Sequence, residues 1–312
     1  MITALSLSPA VDKIYFVENF EAGNLYRVKD IYKSAGGKGI NVSRVACLLG
    51  ENVTTMGFKA GSAGNWLEER LVEVGAKTVF LEVEGESRTN SNIIDKETRK
   101  ETELLEIGPF ISPEQARTFV DKFTEVLEHT GVLVCSGGLP CGIPADFYRK
   151  LVDIASQKGI STILDTSNEV LLEGIKACPY LIKPNLRELS AFAGKNLKTF
   201  EDIIQTSMGI VAGGVKVVVT SMGSEGALLV TSDTIIRAYV PEIEVVNTIG
   251  SGDSMVAGFA AAIERKASLD EMLKLGMACA AANANFKEIG FISMDLVNKY
   301  MNEIRLDYIK GA

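Results

Sequence analysis

Short, wholly apolar runs alternate with amphipathic ones along most of this chain. Ile2 to Leu7 reads as a first strand, a helix follows at 40–49, and a second strand lies near 52–58. Trp66, Leu67, Leu71 and Val74 fall on one face of a helix over roughly 63–74, with Gly75 as its stop. From residue 112 the alternation is regular. Ser112-Pro113-Glu114-Gln115 opens a helix through a capping box, with proline at the first helical position. Apolar strands are expected at 132–136, 162–165, 180–183, 215–220 and 227–231, with a helix over 147–156. Continuous apolar strands separated by helices predict a parallel sheet covered on both faces.

Two stretches break the alternation. Residues 13–33 carry Ile14, Phe16, Val17, Phe20, Leu25 and Val28 in a partly alternating pattern, and 77–107 hold three strand-like pieces between charged turns. The segments 13–33 and 85–107 fit a small separate sheet better than a β-α repeat. The expected fold class is α/β: one unit over 1–312, with a mainly parallel central sheet and a small β lid. Phe16, Val17, Ile93 and Ile94 would give that lid an apolar face, and a lone small sheet is marginal in water unless such a face is covered. A homodimer formed through two lids is the expected cover.

Composition narrows the chemistry. A hydrophobic share of 46% supports a full core, and no apolar run nears the ~20 residues that span a bilayer. The formal charge of −8 argues against a nucleic-acid partner. The start, MITALSLSPAVD, has no basic region ahead of its apolar stretch and does not read as a signal peptide. Cys47, Cys135, Cys141, Cys178 and Cys279 are scattered, without a CxxC pair, and read as thiols in a reducing cytoplasm. His129 is the only histidine, so a zinc site or a Ser-His-Asp triad is very hard to build. Carboxylates and lysines are the chemistry that remains.

Two glycine-rich turns carry candidates. Gly250, Ser251 and Gly252 can aim several N–H groups at one point, ahead of a small-residue helix running from Met255 to Ile263. A helix N-terminus holds anions. Asp253 stands at that point, suited to act as a general base beside an anion hole, or as a plain N-cap. Earlier, Gly36, Gly37 and Gly39 allow close backbone approach, Lys38 adds positive charge, and Asn41 offers donors and an acceptor. Ser136-Gly137-Gly138, Asp165, Lys183-Pro184-Asn185 and Ser221-Met222-Gly223 all lie just past predicted strands. Parallel sheets bind ligands at that edge.

These segments, in this order, resemble the ribokinase-like (PfkB) family of carbohydrate kinases. The family carries GGKGxN early and GxGD late. Lys183 to Glu188 is similar to its KPNxxE magnesium segment, Ser221 to Gly226 to its SxGxxG nucleotide loop, and Ser8 to Asp12 to its substrate-binding start. The resemblance spans nearly the whole chain. It implies a ribokinase-like fold and ATP-dependent transfer to a sugar hydroxyl, with Asp253 as base and the amides of Gly250, Ser251 and Gly252 around the phosphoryl group. By the same resemblance Asp12, Gly37, Lys38, Asn41 and Ser136 bind the sugar. Lys183, Asn185, Ser221, Gly223, Gly226 and Asn283 border the ATP, and Asn185 with Glu188 serves Mg²⁺. Arg27, Arg88 and Asn90 lie in the lid stretches, and Arg88-Thr89-Asn90 resembles members that act on phosphorylated ketohexoses. An arginine fork suits a phosphate.

The expected acceptor is fructose 1-phosphate, giving fructose 1,6-bisphosphate, with tagatose 6-phosphate as the alternative and an unphosphorylated sugar third. A non-catalytic sugar-phosphate sensor is the reading from another class. Two departures bear on the acceptor: Ser8-Pro9 where the family has Asn-Pro, and Gly138 where its SGSLP segment has a serine. No GxxxxGK[ST] occurs, and no GxGxxG follows the first strand, which sets aside P-loop and nicotinamide-dependent chemistry.

Overall fold

A computed structural model describes residues 1–310. Its strands in chain order are β1 (Ile2–Ser6), β2 (Ala10–Val17), β3 (Ile31–Gly36), β4 (Val53–Lys59), β5 (Lys77–Glu82), β6 (Arg88–Asp95), β7 (Glu101–Leu105), β8 (Val132–Ser136), β9 (Ser161–Asp165), β10 (Leu181–Ile182), β11 (Val217–Ser221), β12 (Ala227–Val230), β13 (Ile235–Ala238) and β14 (Leu306–Lys310). One sheet runs β5-β4-β1-β8-β9-β10-β11 with every pair parallel. It continues antiparallel through β12, β13 and β14. The other sheet is smaller, in the order β3-β2-β6-β7.

The apolar runs predict the large sheet because both of its faces are buried. On β8, Val132 and Val134 pack with the helices Lys38–Leu48, Ser251–Glu264 and Leu269–Ala284. Leu133 and Cys135 face the other way, among Phe119, Phe123, Leu151 and Val152. Each such aliphatic side chain contributes about 1.5–3 kcal/mol when fully buried. The capping box expected at the start of helix Pro113–Val126 is present, with Ser112 Oγ accepting from Gln115 N and Gln115 Oε1 from Ser112 N. No helix among the described residues is long and apolar enough to cross a membrane.

The small sheet occupies the two anomalous stretches, with shifted limits. Its strands begin at Ala10 and reach Gly36, while the intervening residues 18–30 form no strand. Residues 77–82 pair with β4 and so belong to the large sheet. The apolar exposure also differs from the expectation. Val17 is buried and Phe16, Ile93 and Ile94 are half-buried, whereas Leu104 and Leu105 on β7 are exposed at 58% and 61%. The last two strands at one end of the large sheet have no counterpart in the sequence reading. β13 is largely buried but only four residues long, and β14 is exposed and carries charges, so neither gives a run long and apolar enough to read as a strand.

Candidate active site

Parallel strands place their carboxyl ends on one side, and the candidate residues gather there. β1 leads into Ser8–Asp12, β8 ends at Ser136, β9 at Asp165, and β10 runs into Lys183. Pairing of β2 with β6 is parallel, with Asp12 opposite Asn90 and Ala10 opposite Arg88. That register explains the bond from Asn90 Nδ2 to Asp12 Oδ1 at 2.8 Å. Arg88 donates from Nη1 to Asn90 Oδ1 at 3.2 Å, and from Nε and Nη2 to the Ser8 carbonyl at 3.4 and 3.2 Å. These bonds engage three of its five N–H groups and leave two. Burial raises the Asp12 carboxyl above its ordinary range, against the pull of Asn90 and Arg88.

Gly36 leaves room for the Asp12 carboxylate where it stands, because a Cβ there would lie 1.8 Å from Asp12 Oδ2 and displace it. Gly37 caps helix Lys38–Leu48 in a left-handed conformation, φ 96°. One turn on, Asn41 Nδ2 donates to Asp253 Oδ2 at 2.8 Å in the interior. Asp253 is thereby tied to the glycine turn that carries Lys38. Burial pushes the Asp253 carboxyl up to about 6; Lys38 pulls it down and the Asp165 charge adds to the rise.

Gly250 makes the second turn, with φ 80° and no side chain capping helix Ser251–Glu264. A side chain at Gly250 would meet Ile289 Cγ2 at 2.7 Å. The Ser251 amide is taken by the Thr248 carbonyl at 3.2 Å. Of the three amides expected to hold a phosphoryl group, this one is therefore engaged within the turn. Gly252 and Asp253 follow in the first helical turn, where an α-helix has no carbonyl to offer their amides.

Beside this turn lies a pocket of about 550 Å³. Ser221, Gly223 and Gly226 border it on one side, Thr248, Ser251 and Gly252 on another. Its walls are apolar, with Val240, Ile243, Met255, Met277 and Ala281 among them. A drug-sized ligand needs such a volume and such a lining. The wall at 240–245 is neither strand nor helix, although Glu242-Ile243-Glu244-Val245 alternates polar and apolar residues.

Other expected residues sit elsewhere. Asn283 is fully buried, donating to the Ile249 carbonyl at 2.9 Å and accepting from Gly290 N at 3.0 Å. It braces the Gly250 turn, and Met277, Ala280, Ala281 and Ala284 are its helix's pocket residues. Ser136 is buried with its hydroxyl toward Asp165, at 3.4 Å. Asn185 and Glu188 form a capping box for helix Leu186–Ala193: Asn185 Oδ1 accepts from Glu188 N at 2.9 Å and Glu188 Oε2 from Asn185 N at 2.8 Å. Arg27 is exposed on the 18–30 connection, outside the Asp12–Asn90–Arg88 network.

Residues 4–290 match the pattern described as pfkB family carbohydrate kinase. A 1-phosphofructokinase of Bacillus subtilis is 35% identical over 306 residues, 98% of this chain and 99% of its own. A tagatose-6-phosphate kinase of Staphylococcus epidermidis is also 35% identical, over 313 residues, with the same two coverages. Among solved structures, phosphofructokinase-2 from Escherichia coli in complex with potassium superposes with a TM-score of 0.90 at 28% identity, covering 97% of this chain and 98% of that one.

Proposed function

Because the chain belongs to the pfkB family of carbohydrate kinases, we propose that it moves the γ-phosphoryl group of ATP to a hydroxyl of a ketohexose phosphate. Fructose 1-phosphate is the first expected acceptor, with fructose 1,6-bisphosphate as product, and tagatose 6-phosphate the second. The observation that carries this reading is the position of Asp253. It lies buried at the start of helix Ser251–Glu264, next in the chain to Gly252 on the apolar pocket, and it is held by Asn41 from the helix whose glycine turn abuts Asp12.

Phosphoryl transfer needs positioning and charge neutralisation more than covalent chemistry. Nucleotide fits the apolar pocket, with its phosphates toward Gly252. Asp12 and Asn90 receive sugar hydroxyls, and the two unengaged N–H groups of Arg88 meet the sugar's phosphate. Asp253 takes the proton of the acceptor hydroxyl. Asn41 fixes Oδ2 and leaves Oδ1 for that task. With a carboxyl near 6, Asp253 is ionised at neutral pH yet basic enough to be useful.

Magnesium fits Asn185 and Glu188 in its hydrated form. The capping box engages Glu188 Oε2 and leaves Oε1 as a carboxylate oxygen, and the Glu188 charge reaches Lys38 in the cleft. Magnesium keeps several waters and takes one or two carboxylates. When bound it neutralises charge on the ATP phosphates.

A coupled assay with ATP, Mg²⁺ and a panel of fructose 1-phosphate, tagatose 6-phosphate, fructose 6-phosphate and fructose tests the reading. Turnover of a phosphorylated ketohexose at least about a hundredfold above free fructose is expected, the upper range of a lost charge-assisted contact. Preference for free fructose overturns the substrate class.

A further inference from the structure

The geometry points to Asp165 as a positioning residue that sets two ammonium groups against the transferring phosphoryl group. This rests on the kinase reading above. Asp165 ends β9, the strand between β8 and β10, and is 1% exposed. Lys38 Nζ lies 3.2 Å from its Oδ2, Lys183 Nζ 3.3 Å from its Oδ1, and Ser136 Oγ 3.4 Å from Oδ2. Three separate segments of chain thus meet on one buried carboxylate.

The two ammonium groups differ in what lies beyond them. Lys183 is 5% exposed, and its Nζ stands 3.4 Å from the position of a Cβ on Gly252. It therefore touches the first turn of helix Ser251–Glu264, where the donor phosphates are placed. Lys38 is 36% exposed and packs against Gly137, and its charge is felt by Asp253. One cation stands at the donor end and the other beside the base. Lysine is a flexible point charge with high rotamer entropy, and two of them side by side repel. A shared carboxylate fixes both at once. Burial pushes Asp165 up, but Lys183 and Lys38 outweigh it, so the group stays ionised between them. Asp165 touches neither nucleotide nor sugar in this arrangement; it acts through the lysines.

The test compares Asp165→Asn and Asp165→Glu with wild type in full kinetics, after circular dichroism shows which variants fold. Misplacing reacting groups by about 1 Å can lower the rate on the order of 10²-fold. Asp165→Asn is expected to lower kcat about 10²-fold, with KM for ATP and for the sugar phosphate changed less than about threefold, within the effect of a weak surface contact. Asp165→Glu keeps the charge but moves the lysines, and is expected to lose about tenfold in kcat, a part of that misplacement effect. Where Asp165→Asn does not fold, Asp165→Glu decides. Wild-type kcat in a folded variant overturns the inference, because a mere counter-ion is replaced by Glu. Full recovery at raised Mg²⁺ also overturns it, by assigning the loss to metal. Wild type inactive on the whole panel removes both this inference and the kinase reading, whereas active wild type with active variants removes this inference alone.

Discussion

At the proposed nucleotide end of the cleft, Gly250 takes a left-handed turn that Asn283 braces from a fully buried position, and one pocket wall is a helix packed into the core. At the sugar end, Asp12, Arg88 and Asn90 ride on a four-stranded sheet whose outer strand, Glu101–Leu105, is exposed along its length. The donor turn is held by hydrogen bonds of this chain's own. The acceptor side hangs on a sheet with one open face. Changes at the donor turn should therefore act on turnover, and changes in the lid on sugar affinity and assembly.

Asp253 stands where the two ends meet and gives the largest expected effect. Asp253→Asn should lower kcat by roughly 10²–10⁴, since a general base contributes that much, with ATP affinity retained. The wild-type kcat should fall with unit slope as pH drops below about 6, where the base becomes protonated. Stability runs the other way. A carboxyl raised from 3.8 to about 6 stabilises the fold only when protonated, and that contribution is lost as pH rises through about 6. At pH 8 the ionised group opposes folding by on the order of 2–3 kcal/mol. Asp253→Asn should thus melt several degrees higher than wild type at pH 8, with the gap narrowing toward pH 5. Equal melting temperatures at both pH values, or kcat above a tenth of wild type, would remove Asp253 from this position.

Arg88→Ala separates the two ends. Loss of a charge-assisted bond costs about 1.5–3 kcal/mol, or roughly 10- to 150-fold. That loss should appear in KM for the sugar phosphate, leaving KM for ATP and any weak turnover of free fructose nearly unchanged. Equal loss on phosphorylated and free sugars would assign Arg88 to holding Ser8 and Asn90 rather than a phosphate.

The exposed strand β7 sharpens the contrast further. Leu104 and Leu105 present apolar surface that water does not favour, and we propose that a second lid covers it in a homodimer. Light scattering at micromolar concentration should give a dimer for wild type and a monomer for Leu104→Lys/Leu105→Lys, with sugar KM raised and ATP KM unchanged. A wild-type monomer of full activity would break the proposal.

The donor side was also the more legible in the sequence. Gly250 to Asp253 stands out as a glycine turn followed by a small-residue helix, a pattern that a plain N-cap also fits, and Ser221, Gly223 and Gly226 line the pocket beside it. The large sheet was legible because continuous apolar strands need cover on both faces. What stayed hidden depends on distant partners. Nothing local distinguishes an Asn283 that braces a turn from one that lines a pocket. Asp165 stood past a predicted strand, but its two lysines lie 127 residues before it and 18 after it in the chain. The wall at 242–245 alternates polar and apolar residues as a strand would, yet forms none, and β13 is too short to show a period. Lid exposure was misjudged for a related reason: a strand pattern does not say which of two faces the rest of the molecule covers.

Glu188→Gln gives the smallest expected effect and isolates the metal from the helix. Asn185 and Glu188 satisfy each other's backbone N–H groups, and that role alone would account for their spacing. Glutamine at the third helical position also completes a capping box, so the substitution keeps the cap and removes only the charge. If Oε1 of Glu188 helps hold a hydrated magnesium ion, half-maximal Mg²⁺ should rise about two- to fivefold and kcat should fall by a similar factor, the size of a solvent-screened charge contact. The melting temperature and the sugar KM should stay at wild-type values. Glu188→Ala, which removes cap and charge together, should add a loss of about 1 kcal/mol in stability. An unchanged Mg²⁺ titration for Glu188→Gln beside a destabilised Glu188→Ala would make the pair a helix cap alone, and would move the metal nearer the ATP phosphates.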